Sequence, residues 1–217
     1  LEIDPRCTQI AAFNLALAAW RRVGYRALEM PHLACSGLSL GVTKTEWFKL
    51  AQQVAQASPV PPKIDLLGAE DNLFSDAMRR GFDRLYDLFA RAPWIGSLID
   101  PHRTGKDLIE QGFADLEPLL AAVLARAESA EITEMAVAAQ GLAKATEILA
   151  ARFTLVATNV PYLGRGKQDD VLKDYCERVH PEAKTDLATC FIERCLAFCA
   201  HGGSTTLVSQ QNWWYLT

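Results

Sequence analysis

Four consecutive residues, Asn159-Val160-Pro161-Tyr162, follow an apolar run carried by Phe153, Leu155 and Val156. The run has the length of a strand, so it delivers the four to a loop at its carboxyl end, where open α/β sheets keep their ligands. The Asn159 side-chain oxygen and the Val160 carbonyl are two neighbouring acceptors, suited to the two hydrogens of a planar amine. An amine conjugated to a ring is a poor nucleophile because its lone pair is delocalised. Acceptors on both hydrogens favour the positive charge that builds on nitrogen as it attacks. Pro161 fixes its own φ and biases Val160 to an extended conformation, which aims that carbonyl. Tyr162 offers an aromatic face on which a planar base can stack. Asn and Pro are also ordinary turn residues, so the four alone fit a strand that simply ends in a turn equally well.

The tetrapeptide resembles the Asn-Pro-Pro-Tyr motif of S-adenosylmethionine-dependent amino-methyltransferases, with Val160 where the first proline usually stands. Further on, the order NVPYLGRGK, AKTDLATCFIERCL and GGSTTLVSQQNWWYL, together with GSLIDP at 96–101, is similar to the PglX adenine-specific DNA methyltransferases of BREX phage-defence systems and to related fused restriction-modification enzymes. The resemblance implies S-adenosylmethionine as cofactor, an adenine rotated out of double-stranded DNA as substrate, and Asn159, Val160, Pro161 and Tyr162 as the catalytic group. Arg165 and Lys167, just beyond the motif in a loop expected to be flexible, are candidates for phosphate contact; solvated surface charge is the plainer reading of either one.

The elements that must position these residues begin at Leu1-Glu2-Ile3-Asp4-Pro5, which reads as the end of a strand. Thr8 to Trp20 then reads as an amphipathic helix with Ile10, Phe13, Leu17 and Trp20 along one side. An acidic residue at the end of a second strand is where nucleotide-binding α/β folds catch ribose hydroxyls. In the resembled methyltransferases the matching motif is Glu-Ile-Asp-Pro, which implies Glu2 as ribose ligand and Ile3 against the cofactor adenine, with Asp4 as the competing acid. A third strand is expected within residues 27–40, ending near Ser36-Gly37, where the resemblance implies a polar residue, Ser36 or Ser39, against the cofactor adenine. The glycine-rich loop of the family would precede residue 1, so the chain reads as a segment of a longer enzyme that holds its cofactor poorly by itself.

Between the third and fourth strands the pattern turns helical. Helices are expected over Thr45–Gln56, Glu70–Arg91, about 105–127 and about 131–150. A helix over Ala188–Ala200, closed by Gly202-Gly203, leads to a fifth strand over Ser204–Ser209 and then to QQNWWY at 210–215. The domains expected are a partial methyltransferase core, 1–42 with 151–217, and a helical insertion, 43–150. The fold class is α/β, an incomplete Rossmann-like methyltransferase core.

Composition narrows the setting. Half of the 217 residues are hydrophobic, ample for one core. No apolar run approaches the ~20 residues of a membrane span, and the six scattered cysteines contain no CxxC pair, which points to reduced thiols in the cytoplasm. Cys190, Cys195 and Cys199 have a spacing that a metal could use, but buried helical thiols are the commoner outcome and no metal is assigned. The net charge of −4 is wrong for a stand-alone nucleic-acid binder, so a grip on DNA must come largely from elsewhere in a longer protein, with defence-system proteins as possible partners. Two other functions fit the same residues: methylation of a protein glutamine amide, and a scaffold that keeps the fold without the chemistry.

Overall fold

The structure is a computed structural model that describes residues 1–29, 31–57, 63–64, 70–71, 73–104 and 130–209. The chain forms two compact units, Leu1–Ile148 and Leu149–Thr217, so residues 1–42 share a unit with most of the helical stretch that follows them. Its character is mixed helix and strand.

In the first unit, α1 spans Pro5–Val23. It starts where the sequence provides both parts of an N-terminus: Pro5 at the first helical position and Asp4 as cap, its carboxylate accepting from Arg6 N at 2.8 Å. The apolar side expected to be covered is not. No residue of α1 is buried, and Ile10, Phe13 and Leu17 are exposed, because nothing among the described residues packs over them. The helix α2 (Lys44–Ala57) opens with a capping box, Glu46 Oε2 accepting from Thr43 N and Oγ1 at 2.8 Å each. A two-residue hairpin, β1 (Lys63–Ile64) with β2 (Glu70–Asp71), separates it from α3 (Leu73–Phe89). Trp47 anchors α2 on α3: it is fully buried, donates from Nε1 to Phe82 O at 2.7 Å, and lies against the Phe82 ring. Phe82, Leu85 and Phe89 recur at helical spacing and are all buried, as a core stripe requires.

A short helix α4 (Ala92–Ile95) runs into 3-10 turns over Gly96–Leu98 and Pro101–Thr104. The helix expected at 105–127 and the QQNWWY segment lie outside the described residues. The expected helix at 131–150 is α5, Ala130–Ala150, with Ala136, Ala139, Leu142, Ala143 and Thr146 buried along one side. The expected third strand is reduced to a single parallel bridge, Glu2 with Cys35. Pro31 and the Ser36-Gly37 turn leave too little regular backbone between them for a ladder.

In the second unit, β3 (Phe153–Asn159) pairs in parallel with β4 (Cys199–Val208) through α6 (Asp170–Val179) and α7 (Leu187–Phe198). Asp169 caps α6 through Leu172 N and Asp186 caps α7 through Ala188 N, at 2.8 Å each. Residues Leu155 to Asn159 pair in register with Ser204 to Val208, after an irregularity next to Phe153. Gly202-Gly203 does not close the helix, which ends at Phe198; it lies inside β4 and makes that irregularity. Gly202 has φ +76°, and a Cβ on Gly203 would lie 2.8 Å from Phe153 O. The buried strand expected at 153–159 is exposed, with Leu155 63% accessible. Among the described residues, one ladder partner and the Phe198 ring against Phe153 cover too little of it. Parallel strands are normally covered on both faces.

Candidate functional site

The candidate residues fall into two groups, one in each unit. The tetrapeptide group stands where β3 ends. Asn159 is the last strand residue, paired with Val208; its side chain is exposed and carries no hydrogen bond among the described residues. Val160 is buried, so its side chain packs as well as setting the backbone, while Pro161 and Tyr162 are exposed. A strand end fixes the Asn, a buried neighbour anchors the turn, and the aromatic face is left outward.

The loop beyond Tyr162 is held by hydrogen bonds on both sides. Leu163 O accepts from Leu187 N at 3.0 Å and from Gln168 Nε2 at 2.9 Å, and Arg165 N donates to Thr185 O at 2.9 Å. A 3-10 turn over Arg165–Lys167 follows. Arg165 Nη2 lies 2.8 Å from Glu177 Oε2, and Lys184 Nζ lies 2.7 Å from Glu177 Oε1, so one carboxylate of α6 holds two cations. Their hydrogen bonds, Lys184's first and then Arg165's, draw the Glu177 carboxyl below the ordinary carboxylate value. Lys167 is exposed and makes no ion pair among the described residues. Of the two cations singled out in the sequence, one is thus engaged within its own unit.

Behind the loop, His180 ends α6 and reaches Glu193 of α7, Nδ1 to Oε2 2.6 Å. Arg194 is buried, donates to Leu149 O at 2.8 Å and lies 3.9 Å over the Phe198 ring, tying α7 to the last turn of α5. Cys176, Cys190 and Cys195 are buried free thiols, and Cys199 is half-buried. Contact with Cys176 and burial push the Cys190 thiol far up, so it stays protonated packing material.

The second group surrounds Glu2 and Ile3. Glu2 N donates to Ala34 O at 3.1 Å and Ser36 N donates to Glu2 O at 2.7 Å, which makes the bridge to Cys35. Glu2 is exposed, and its Oε1 accepts from Ile3 N at 2.8 Å, turning the carboxylate across the end of the extended segment. Asp4 is occupied: besides capping α1 it pairs with Arg6 Nη2 at 2.8 Å, and the Arg6 hydrogen bonds hold its carboxyl at about 2. That leaves Glu2 as the acid with an oxygen to offer. Ile3 is 44% exposed, and its other side rests on two glycines. A Cβ on Gly37 would overlap Ile3 O, and one on Gly96 would lie 2.8 Å from Ile3 Cδ1. Ser36 is fully buried and spends its hydroxyl on Glu2 O, 3.2 Å, and on Ser97 Oγ, 2.9 Å. Ser39 Oγ accepts from Gly41 N at 3.3 Å. Gly37, at the expected end of the third strand, also belongs to the second group, as do Gly96 and Ser97, whose residue types carry no signal of it. Only the GSLIDP string marked the region, and without a role.

Comparison with known proteins bears on both groups. The adenine-specific methyltransferase BrxX of Escherichia coli O9:H4 (strain HS) is 25% identical over 223 residues, covering 100% of this chain and 18% of that protein. The adenine-specific methyltransferase PglX of Lacticaseibacillus casei (strain Zhang) is 28% identical over 78 residues, 36% of this chain and 6% of that protein. The chain therefore spans less than a fifth of the length of the curated relatives it matches. The family model of the Eco57I restriction-modification methylase matches residues 1–217. The strand ending in Asn159-Val160-Pro161-Tyr162 and the Glu2–Ile3 segment lie within one continuous match, and the chain belongs to the Eco57I restriction-modification methylase family.

Proposed function

We propose that this chain is the catalytic part of a DNA adenine N6-methyltransferase that uses S-adenosylmethionine and acts in the cytoplasm in restriction-modification or phage defence. The observation that carries the reading is the end of β3, which sets an exposed Asn159 beside a buried Val160 and an outward Tyr162. In this reading residues 1–42 and 151–217 belong to a Rossmann-like core and 43–150 form a helical insertion. The exposed parallel pair of β3 and β4 supports it, since such strands are normally covered on both faces.

The residues present suit the adenosine end of the cofactor. Glu2 offers a charged acceptor to ribose hydroxyls, and Ile3 offers an apolar side chain to the adenine. When bound, the cofactor supplies a methyl group made electrophilic by its sulfonium. Asn159 Oδ1 and the Val160 carbonyl each accept one hydrogen of the target N6 amine, which draws charge onto nitrogen and frees its lone pair. On transfer of that methyl the excess N6 proton would pass to solvent, to which the strand end at Asn159 is exposed. Tyr162 stacks on the extruded adenine, and Pro161 keeps the Val160 carbonyl aimed. Double-stranded DNA is the partner, gripped largely by other parts of the full-length protein, with defence-system proteins as further partners.

The test is transfer of labelled methyl by the full-length protein to DNA or to protein. Label recovered as N6-methyladenine supports the reading, label in a protein glutamine moves the substrate class, and no label in either leaves a scaffold.

A further inference from the structure

The Gly96–Pro101 segment, GSLIDP, has no role in the chemistry above, yet it is built into the Glu2–Ile3 group. It follows α4 directly, and Gly96, Leu98 and Ile99 are buried. Gly96 has φ +54°, a conformation that favours glycine, and it faces Ile3 with only the room that a missing Cβ leaves. The next residue, Ser97, bonds Ser36, which in turn holds Glu2 O by both its amide and its hydroxyl. Two sides of the Glu2–Ile3 peptide are thereby fixed, one by the residue 34–37 segment and one by a segment 61 residues further along from Ser36.

We infer that Gly96 and Ser97 are positioning residues for the adenosine moiety of the cofactor, setting the height of the Ile3 side chain and the direction from which Glu2 meets the ribose. This rests on the reading that Glu2 and Ile3 hold adenosine. A ligand pressed between a fixed carboxylate and a fixed apolar side chain is sensitive to displacements of a fraction of an ångström, because hydrogen-bond geometry and contact distance cannot both be kept when the peptide shifts. Ser97 acts through Ser36.

The experiment uses the full-length protein and three variants, Ser97→Ala, Gly96→Ala and Glu2→Ala. Calorimetric affinities are measured for S-adenosylmethionine and S-adenosylhomocysteine, alongside DNA affinity, KM and kcat. Ser97→Ala is expected to weaken both cofactor forms by the same factor, about 3- to 10-fold, since it removes the neutral hydrogen bond to Ser36 on their shared adenosine side. KM for S-adenosylmethionine should rise with it, while kcat and DNA affinity stay within about twofold of the parent. Gly96→Ala should do the same more severely; if it does not fold, Ser97→Ala carries the test. Unchanged cofactor affinity in Ser97→Ala, with a clear loss in Glu2→Ala, overturns the positioning role and leaves the adenosine reading standing. No loss in Glu2→Ala either overturns both. An equal loss of DNA affinity marks general loosening of the fold and also overturns the inference.

Discussion

Arg165 and Glu177 are held together at 2.8 Å, so the cation nearest to the tetrapeptide in sequence is engaged by a helix of its own unit. The consequence concerns DNA. Lys167→Ala should weaken binding by the full-length protein uniformly across sequences and reduce the salt slope by about 1, as expected for one phosphate contact. Arg165→Ala should leave that slope nearly unchanged and instead loosen the loop, read as faster amide exchange over residues 163–168. The same loop should respond to acid. The folded Glu177 carboxyl lies below its ordinary value of 4.5, so its contribution is complete above that value and is lost as pH falls through the lower, folded one. Loop protection should be flat from pH 6 to 8 and fall only below about pH 4.5; a loss centred near neutrality would contradict the assignment.

Glu2 and Asp4 separate cleanly. Asp4→Asn keeps a cap-competent side chain on α1 and should leave cofactor affinity within about twofold. Glu2→Gln removes the charge offered to the ribose and should weaken the cofactor about tenfold or more, since hydrogen bonds to charged groups exceed neutral ones by roughly a factor of two in energy. Calorimetry on the full-length variants decides, and the reverse order would make Asp4 the ligand.

The glycine pair in β4 gives a stability prediction. Gly203→Ala drives a Cβ to 2.8 Å from Phe153 O, where backbone must move. The cost should be about 1–3 kcal/mol, typical of overpacking. Gly202→Ala meets nothing within 4 Å and suffers only its φ of +76°, about 1–2 kcal/mol. Thermal unfolding of the two variants checks the direction, and a silent Gly203→Ala would remove the irregularity from the description of β4.

Tyr162 should act through its ring. Tyr162→Phe keeps the stacking face and most of the methylation rate, whereas Tyr162→Ala forfeits roughly 1–3 kcal/mol of stacking, about 5- to 150-fold. Methylation rates of the two variants at saturating DNA provide the check. Equal failure of both variants would put the hydroxyl in the chemistry.

How far the sequence reveals all this depends on range. The start of α1 follows from Asp4-Pro5 and the start of α2 from Thr43 and Glu46, because caps are built from neighbours. The end of β3 at Asn159 follows from the apolar run and the proline beyond it. What sequence reading misses depends on partners far along the chain. Ser97 is an ordinary serine until it meets Ser36, Gly203 looks like a helix stop until Phe153 O lies against it, and nothing near Arg165 in the sequence announces that Glu177 will pair with it. Exposure escapes the sequence for the same reason: hydrophobic spacing on α1 and β3 says which side wants cover but not whether the described residues provide it.

The most direct test is the rate of N6-methyladenine formation by full-length Asn159→Ala at saturating DNA and S-adenosylmethionine. Asn159 accepts mainly as charge develops on nitrogen, so the variant should turn over about 100-fold or more slowly while its affinities for DNA and cofactor stay within about twofold. A variant that methylates at the parental rate would contradict the catalytic role and reduce Asn159-Val160-Pro161-Tyr162 to a turn at the end of a strand.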